Sequence, residues 1–496
     1  MSAGAGAVAS TIRGLGQRAL SLGAVNAFEY AVQFLLPVVL VRCLEPAAFG
    51  EYRLLWLAAG TIMAVAPMAM PGCLYYFLPR SDAATRRLYI NQTLLFLAAA
   101  GLVAAWAVSL WNPWLPGQLH GLAERGVIVP AFVALWVVAS LLDVLPTIEE
   151  RIAWQAKATV GLTALRAVVL SAAAILTREL GPVLLVLLAF VVLKLATLLA
   201  YVARYHGLRG PPLDRRAFAG QVKQAAPFGV ANALYGLREQ ADQWVAAALF
   251  AIGQFASFSI AAALGMVVTL FRKSASYAYL PGMSRLQAAG DISAMLEVNS
   301  RANIMVAALV FPLLAAGFVF AEEAVTIVFT VAYLDAAPVM RVYAIGLVTV
   351  VVELATVMML LQEGAFVMRV NLAALVLSVP LSWLAASHFG LAGAAAGFVL
   401  AMFLDRIATL RRISLRTGVS LRRLQDWGTL GRLLLAAVLA AAIAWDMVGR
   451  HFVASGPLLR LGAGSALLAA AYVGLALLFT RGRGWLRPLR NLKHGL

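Results

Sequence analysis

Ionisable side chains stand inside the long apolar runs of this chain, and their placement is its first chemical signal. Glu29, Arg166, Lys194, Arg238, Asp242, Arg272, Lys273 and Glu353 all fall in stretches that otherwise read as membrane-spanning. A charge at bilayer depth costs roughly 3 kcal/mol or more unless it is paired or faces a wet cavity, so each is a functional candidate. Arg166, Lys194, Arg238, Arg272 and Lys273 form a cationic set. Lined along a cavity, they would offset the desolvation of an anionic group through charge-assisted hydrogen bonds. Glu29, Asp242 and Glu353 are the candidates for coupling to H+ or Na+ entry.

Six of these eight candidates have a specific second reading. Arg238 and Asp242 are four residues apart on one helix and can pair with each other. Lys194, Arg272 and Lys273 can snorkel to headgroups. Glu29 can be a packed carboxyl bonded to Asn26 or to a neighbouring helix.

The chain of 496 residues is 63% hydrophobic and 12% charged. A soluble domain lies near about 45–50% apolar and about 25% charged, so lipid is the expected solvent for most side chains. A run of about 20 apolar residues spans a bilayer. That rule places an all-α integral membrane fold of about fourteen helices, near 20–42, 54–78, 88–110, 126–146, 158–177, 181–203, 225–250, 256–280, 303–321, 338–361, 367–387, 390–410, 432–449 and 459–480. The first of these carries Asn26, Glu29 and Gln33 and is expected to stay in the mature chain despite Arg13 and Arg18 before it.

The net charge of +17 alone would suit nucleic acid, but the distribution of the charges argues otherwise. With the N-terminus inside, the inner segments hold 27 of the 39 lysines and arginines and the outer ones seven. Basic loops resist translocation, which puts both termini in the cytoplasm and the basic loops against anionic lipid headgroups, with no nucleic-acid partner. The two cysteines and five histidines show no metal-site spacing. No phosphate-binding glycine loop or nucleophile motif is visible, and the longest outer loop, 111–125, offers only His120 and Glu124. A transporter is expected rather than an enzyme, without a bound cofactor.

Gly210-Pro211-Pro212 follows six helices and reads as a linker. The expected domains are an N-terminal six-helix lobe over 1–203, a cytoplasmic linker over 204–224, a second six-helix lobe over 225–412, and helices 13 and 14 with a basic tail over 413–496. Leu44-x4-Phe49-Gly50-x-Tyr52 is echoed by Phe250-x4-Phe255-Ala256-x-Phe258, as two repeated halves would require. The stretch from Pro281 to Arg301 has the mixed polarity of an interfacial helix. Gly393-x3-Gly397 has the spacing of close helix contact.

Four segments carry a resemblance. Leu44-Glu45-Pro46-Ala47-Ala48-Phe49-Gly50-Glu51-Tyr52, Gln240-x-Asp242 followed by Phe250, Tyr279-Leu280-Pro281-Gly282-Met283-Ser284-Arg285, and Gly390-Leu391-Ala392-Gly393-Ala394-Ala395-Ala396-Gly397 occur in the order found in polysaccharide flippases. The chain thus resembles the O-antigen and exopolysaccharide flippase family of the multidrug/oligosaccharidyl-lipid/polysaccharide exporter superfamily. The resemblance implies two six-helix bundles around a central cavity, with two further C-terminal helices. It also implies movement of an undecaprenyl-diphosphate-linked oligosaccharide across the bacterial inner membrane, with a polysaccharide polymerase and co-polymerase as partners. On that reading the five cations would hold the diphosphate. A lipid II flippase and an ion-coupled multidrug antiporter share the fold and are the alternatives, though the cationic set suits a cationic drug poorly.

Overall fold

The computed structural model describes residue 25 and residues 27–207, 210–452 and 454–480. The expectations for Arg13, Arg18, Asn26 and the basic tail lie outside them. The described residues are helical throughout, without strands, in two compact units, Met1–Ala256 and Ser257–Leu496.

In the first unit α1 covers 27–43, followed by α2 (Pro46–Val65), α3 (Met70–Phe77), α4 (Ala83–Ala107), α5 (His120–Ala123), α6 (Ile128–Ala139), α7 (Leu145–Ile148), α8 (Ile152–Thr177), α9 (Leu180–His206) and α10 (Arg215–Leu249). α11 (Ile252–Ala261) crosses the boundary. The second unit holds α12 (Ala263–Ala288), α13 (Ile292–Val319), α14 (Ala321–Val328), α15 (Ala336–Val350), α16 (Ala355–Leu360), α17 (Gly364–Thr417), α18 (Leu421–Leu424), α19 (Trp427–His451) and α20 (Pro457–Thr480).

Eleven helical segments among the described residues are long and apolar enough to cross a membrane. Large apolar side chains such as Leu102, Val168, Leu176 and Leu458 are exposed on the helix surfaces, where lipid rather than water suits them. Eleven is fewer than the expected fourteen: the long α17 enters as one segment, and α1 and the polar α10 are not among the eleven. α17 runs for 54 residues but turns at Gly390, at φ 63° and ψ −147°. Its two arms lie side by side, because Cβ atoms at Gly393 and Gly397 would run into the backbone of Ala385 and Ser382.

Aspartates start the helices whose first turns are polar. Asp82, Asp214, Asp291 and Asp426 accept from the backbone amides of Thr85, Ala217, Ala294 and Thr429 at 2.7–3.3 Å. Each satisfies an amide that has no partner within its helix.

Three sequence expectations change. The span expected over 54–78 is broken between α2 and α3, where Met68 and Ala69 take positive φ beside Pro67. The span expected over 338–361 is broken over 351–354, between α15 and α16. The expected interfacial helix from Pro281 to Arg301 is not a separate element. Its residues divide between the end of α12 and the start of α13, around a turn at Gly290 with φ 78°.

α10 is packed onto α2 and α3 along its length. A Cβ at Gly229 would lie 2.7 Å from the Met68 carbonyl carbon, and one at Gly236 would overlap the Ala64 methyl. Thr61 donates to Gln240 Oε1 at 2.8 Å and accepts from Trp244 Nε1 at 2.8 Å. The two echoing segments meet, since Gly50 packs directly on the Ile252 backbone. At the other end the linker is tied to α4. Asn91 donates to the Pro211 carbonyl at 3.1 Å, and the Asp214 amide donates to Gln92 at 3.0 Å. Gln92 also donates to the fully buried Gln221 at 3.1 Å.

Glu363, just before α17, sits 2.9 Å from Arg412 Nη2 and 2.5 Å from Arg416 Nε, at the far end of the second arm. Burial pushes its carboxyl up, but hydrogen bonds and charge from both guanidiniums outweigh it and hold the pKa below the ordinary 4.5. A carboxyl lowered by folding contributes stability above its unfolded pKa and loses it as pH falls through the lowered value. Glu363→Gln is therefore expected to destabilise the protein near neutral pH and to converge with wild type as pH falls through the lowered pKa of the carboxyl. Denaturation midpoints across that range check this. A wild-type-to-variant gap that stays constant with pH would contradict it.

Candidate functional site

The first unit gathers four charges at membrane depth. Lys194, on α9, is 8% exposed, and its Nζ lies 2.8 Å from Asp143 Oδ2. Asp143 ends a 3-10 turn, Ser140–Asp143, that continues α6. The same ammonium stands 4.7 Å above the Trp136 ring. Glu29, on α1, is hydrogen-bonded to the Thr163 side chain of α8 and feels the charges of Asp143, Lys194 and Arg166. Arg166, one turn beyond Thr163, stands 5.8 Å from the Trp56 ring of α2. Its Nε is buried without a hydrogen-bond partner.

Trp56 packs edge-on against Trp136 at 5.4 Å and against Phe132 at 5.9 Å. These rings wall one side of the charges. Two further charges lie buried on α10. Arg238 Nη2 is 3.6 Å from Glu239, and the Asp242 carboxylate accepts from the Gln243 amide at 2.8 Å.

The second unit pairs Arg272, on α12, with Glu353 in the break between α15 and α16. Glu353 is 7% exposed and also accepts from the amides of Ala355, at 2.8 Å, and Thr356, at 3.4 Å. Its own amide donates to Asn303 Oδ1 at 3.1 Å, and Arg406 donates to the Val352 carbonyl at 2.9 Å. Unwound backbone at this depth is tolerated only when its polar groups find such partners. Lys273, next to Arg272, is exposed.

The structure thus brings Arg166, Lys194 and Glu29 together and joins Arg272 to Glu353. It shows Lys194 paired to a carboxylate rather than reaching towards headgroups. Glu29 finds Thr163 on another helix. Sequence reasoning missed Asp143, although an acidic residue inside the apolar run 126–146 was a usable signal. Among the described residues no group of three or more His, Cys, Asp or Glu side chains stands ready for a metal ion.

The fold and its intramembrane charges define a class. The chain is similar to the lipid II flippase MurJ in an inward closed conformation, with a TM-score of 0.69 at 10% identity over 92% of this chain and 98% of that one. It is similar to an inward-facing multidrug-resistance transporter of the MATE family, with a TM-score of 0.63 at 14% identity over 79% of this chain and 96% of that one. A mutant of the Vibrio cholerae MATE transporter VcmN gives 0.51 at 10% identity over 82% and 98% of the two chains. At these identities the likeness is one of fold alone, shared with these multi-pass membrane proteins. No curated protein matches the chain in sequence. The family profile described as polysaccharide biosynthesis protein matches residues 39–338, more than half the chain, and the chain belongs to that family.

Proposed function

We propose that the chain is a flippase that carries an undecaprenyl-diphosphate-linked oligosaccharide across the bacterial cytoplasmic membrane during surface polysaccharide synthesis. The observation that carries this reading is Arg166. It is a cation within an apolar helix of a polysaccharide-family chain, with a buried N–H that lacks an acceptor and no ion pair among the described residues. A phosphate oxygen supplies the missing acceptor and the missing charge. Of the other cations assigned to the diphosphate, Lys194 is paired with Asp143, Arg272 with Glu353 and Arg238 with Glu239, and Lys273 is exposed, so Arg166 is the main phosphate contact in this reading.

Glu29 is the proposed coupling group for H+ or Na+, since it shares this cluster and is not locked in an ion pair with a cation, whereas Glu353 is. The bias of lysine and arginine supports cytoplasmic termini. A polysaccharide polymerase and its co-polymerase are the proposed partners in the same membrane.

The test uses a bacterial strain that lacks its own polysaccharide flippase and expresses this chain at normal levels. Arg166→Ala is expected to lower surface glycan at least tenfold, the scale of about 1.4 kcal/mol or more lost with a charge-assisted hydrogen bond, and Arg166→Lys is expected to restore part of it. Full glycan display by Arg166→Ala would remove Arg166 from the role. Rescue of a strain lacking its lipid II flippase, without any glycan display, would move the substrate to lipid II.

A further inference from the structure

The first-unit cluster carries chemistry that phosphate binding leaves unused. Its formal charges cancel, Glu29 and Asp143 against Arg166 and Lys194. A diphosphate lying across the whole set would meet two carboxylates at close range and be repelled. Only its Arg166 end suits an anion.

The rest suits a polyhydroxylated ring. Asp143 keeps 55% of its side chain exposed while paired to Lys194, so it retains free lone pairs to accept hydroxyl protons. Trp56 Nε1 is buried beside the Tyr52 hydroxyl, which holds the indole in place. Arg166 Nε is the donor of this cluster that lacks an acceptor. Trp56 and Trp136 are half-buried, with indole surface left open. Aromatic faces are electron-rich and attract the polarised C–H face of a pyranose, while the ring's hydroxyls both donate and accept. A carboxylate acceptor, an unpaired N–H donor and two indoles, within one unit, match both kinds of surface on a sugar.

We propose that this cluster seats the sugar that adjoins the diphosphate of the carried lipid. Arg166 faces the phosphate next to the sugar, Trp56 and Trp136 face the ring, and Asp143 accepts from a ring hydroxyl. The inference rests on the flippase reading and adds to it a sugar-reading site distinct from the anion contact.

The experiment measures equilibrium binding of short-chain probes to the purified full chain in lipid nanodiscs. The probes are farnesyl diphosphate and its derivatives bearing glucose, galactose or N-acetylglucosamine on the terminal phosphate. At least one sugar-bearing probe is expected to bind tenfold more tightly than farnesyl diphosphate. Asp143→Asn and Trp136→Phe are each expected to remove most of that preference. Asp143→Asn frees Lys194, so the bare diphosphate binds no more weakly to that variant. Both variants are conservative in size, and a melting curve confirms that they fold. Equal binding of bare and sugar-bearing probes by wild type overturns the sugar seat and leaves the flippase reading standing. So does a preference that survives both substitutions. Failure of all four probes to bind overturns both.

Discussion

Arg272→Ala is expected to destabilise the protein by about 3 kcal/mol, because it leaves the Glu353 carboxylate buried beside a broken helix with no counter-charge. Arg272 is about one-fifth exposed, which keeps the figure at the lower end of what breaking a buried pair costs. Glu353 has a second task, since it accepts from the Ala355 and Thr356 amides that open α16. Glu353→Gln keeps a carbonyl oxygen for those amides and is expected to cost less than Glu353→Ala, which removes both functions. Two changes to one pair are not additive. Arg272→Met combined with Glu353→Gln is therefore expected to be more stable than the sum of the single losses, in denaturant unfolding in detergent. Strictly additive losses would show that the pair contributes nothing as a pair.

The second large effect is expected at the fold of α17. Gly393→Ala and Gly397→Ala each push a methyl into backbone atoms of the preceding arm, at Ala385 and Ser382. A flexible side chain can swing aside, but backbone in a packed helix cannot, so each change is expected to reach the upper end of overpacking costs, about 3 kcal/mol. Gly449→Ala is the control. Nothing lies within 4 Å of a Cβ there, and a helical Gly→Ala change is neutral to favourable. Monodisperse protein recovered from membranes is the readout. Wild-type yield from the Gly393→Ala, Gly397→Ala double variant would mean that the two arms do not hold this contact.

The apolar segments were legible in the sequence because hydropathy over about 20 residues is the quantity that lipid selects. The bend at 390 was legible too, since two full spans lay on either side of it. Hydropathy averaging hides short interruptions. It could not show the turn at Met68 and Ala69, or the break at 351–354, which is stabilised by Asn303 and Arg406 from remote positions. The candidate charges were legible one by one, and their partners were not. Lys194 is 51 residues from Asp143 and Arg272 is 81 from Glu353, so nothing local announces either pair. The sequence reading therefore listed five cations for one anion. Pairing accounts for the charge of Lys194 and Arg272, while Arg166 Nε is left needing an acceptor.

The seam between α10 and α2 bears on how the chain is made. α10 is 35 residues long, yet it is not among the segments apolar enough to enter a bilayer by composition alone. Its polar positions Gln240 and Trp244 are satisfied by Thr61, a residue translated some 180 positions earlier. At the ribosome, then, α10 is a poor client for unaided lateral release into lipid. Contact with α2, made earlier, satisfies those groups, so the packing of the first unit is complete only once α10, which follows five long apolar segments, has emerged.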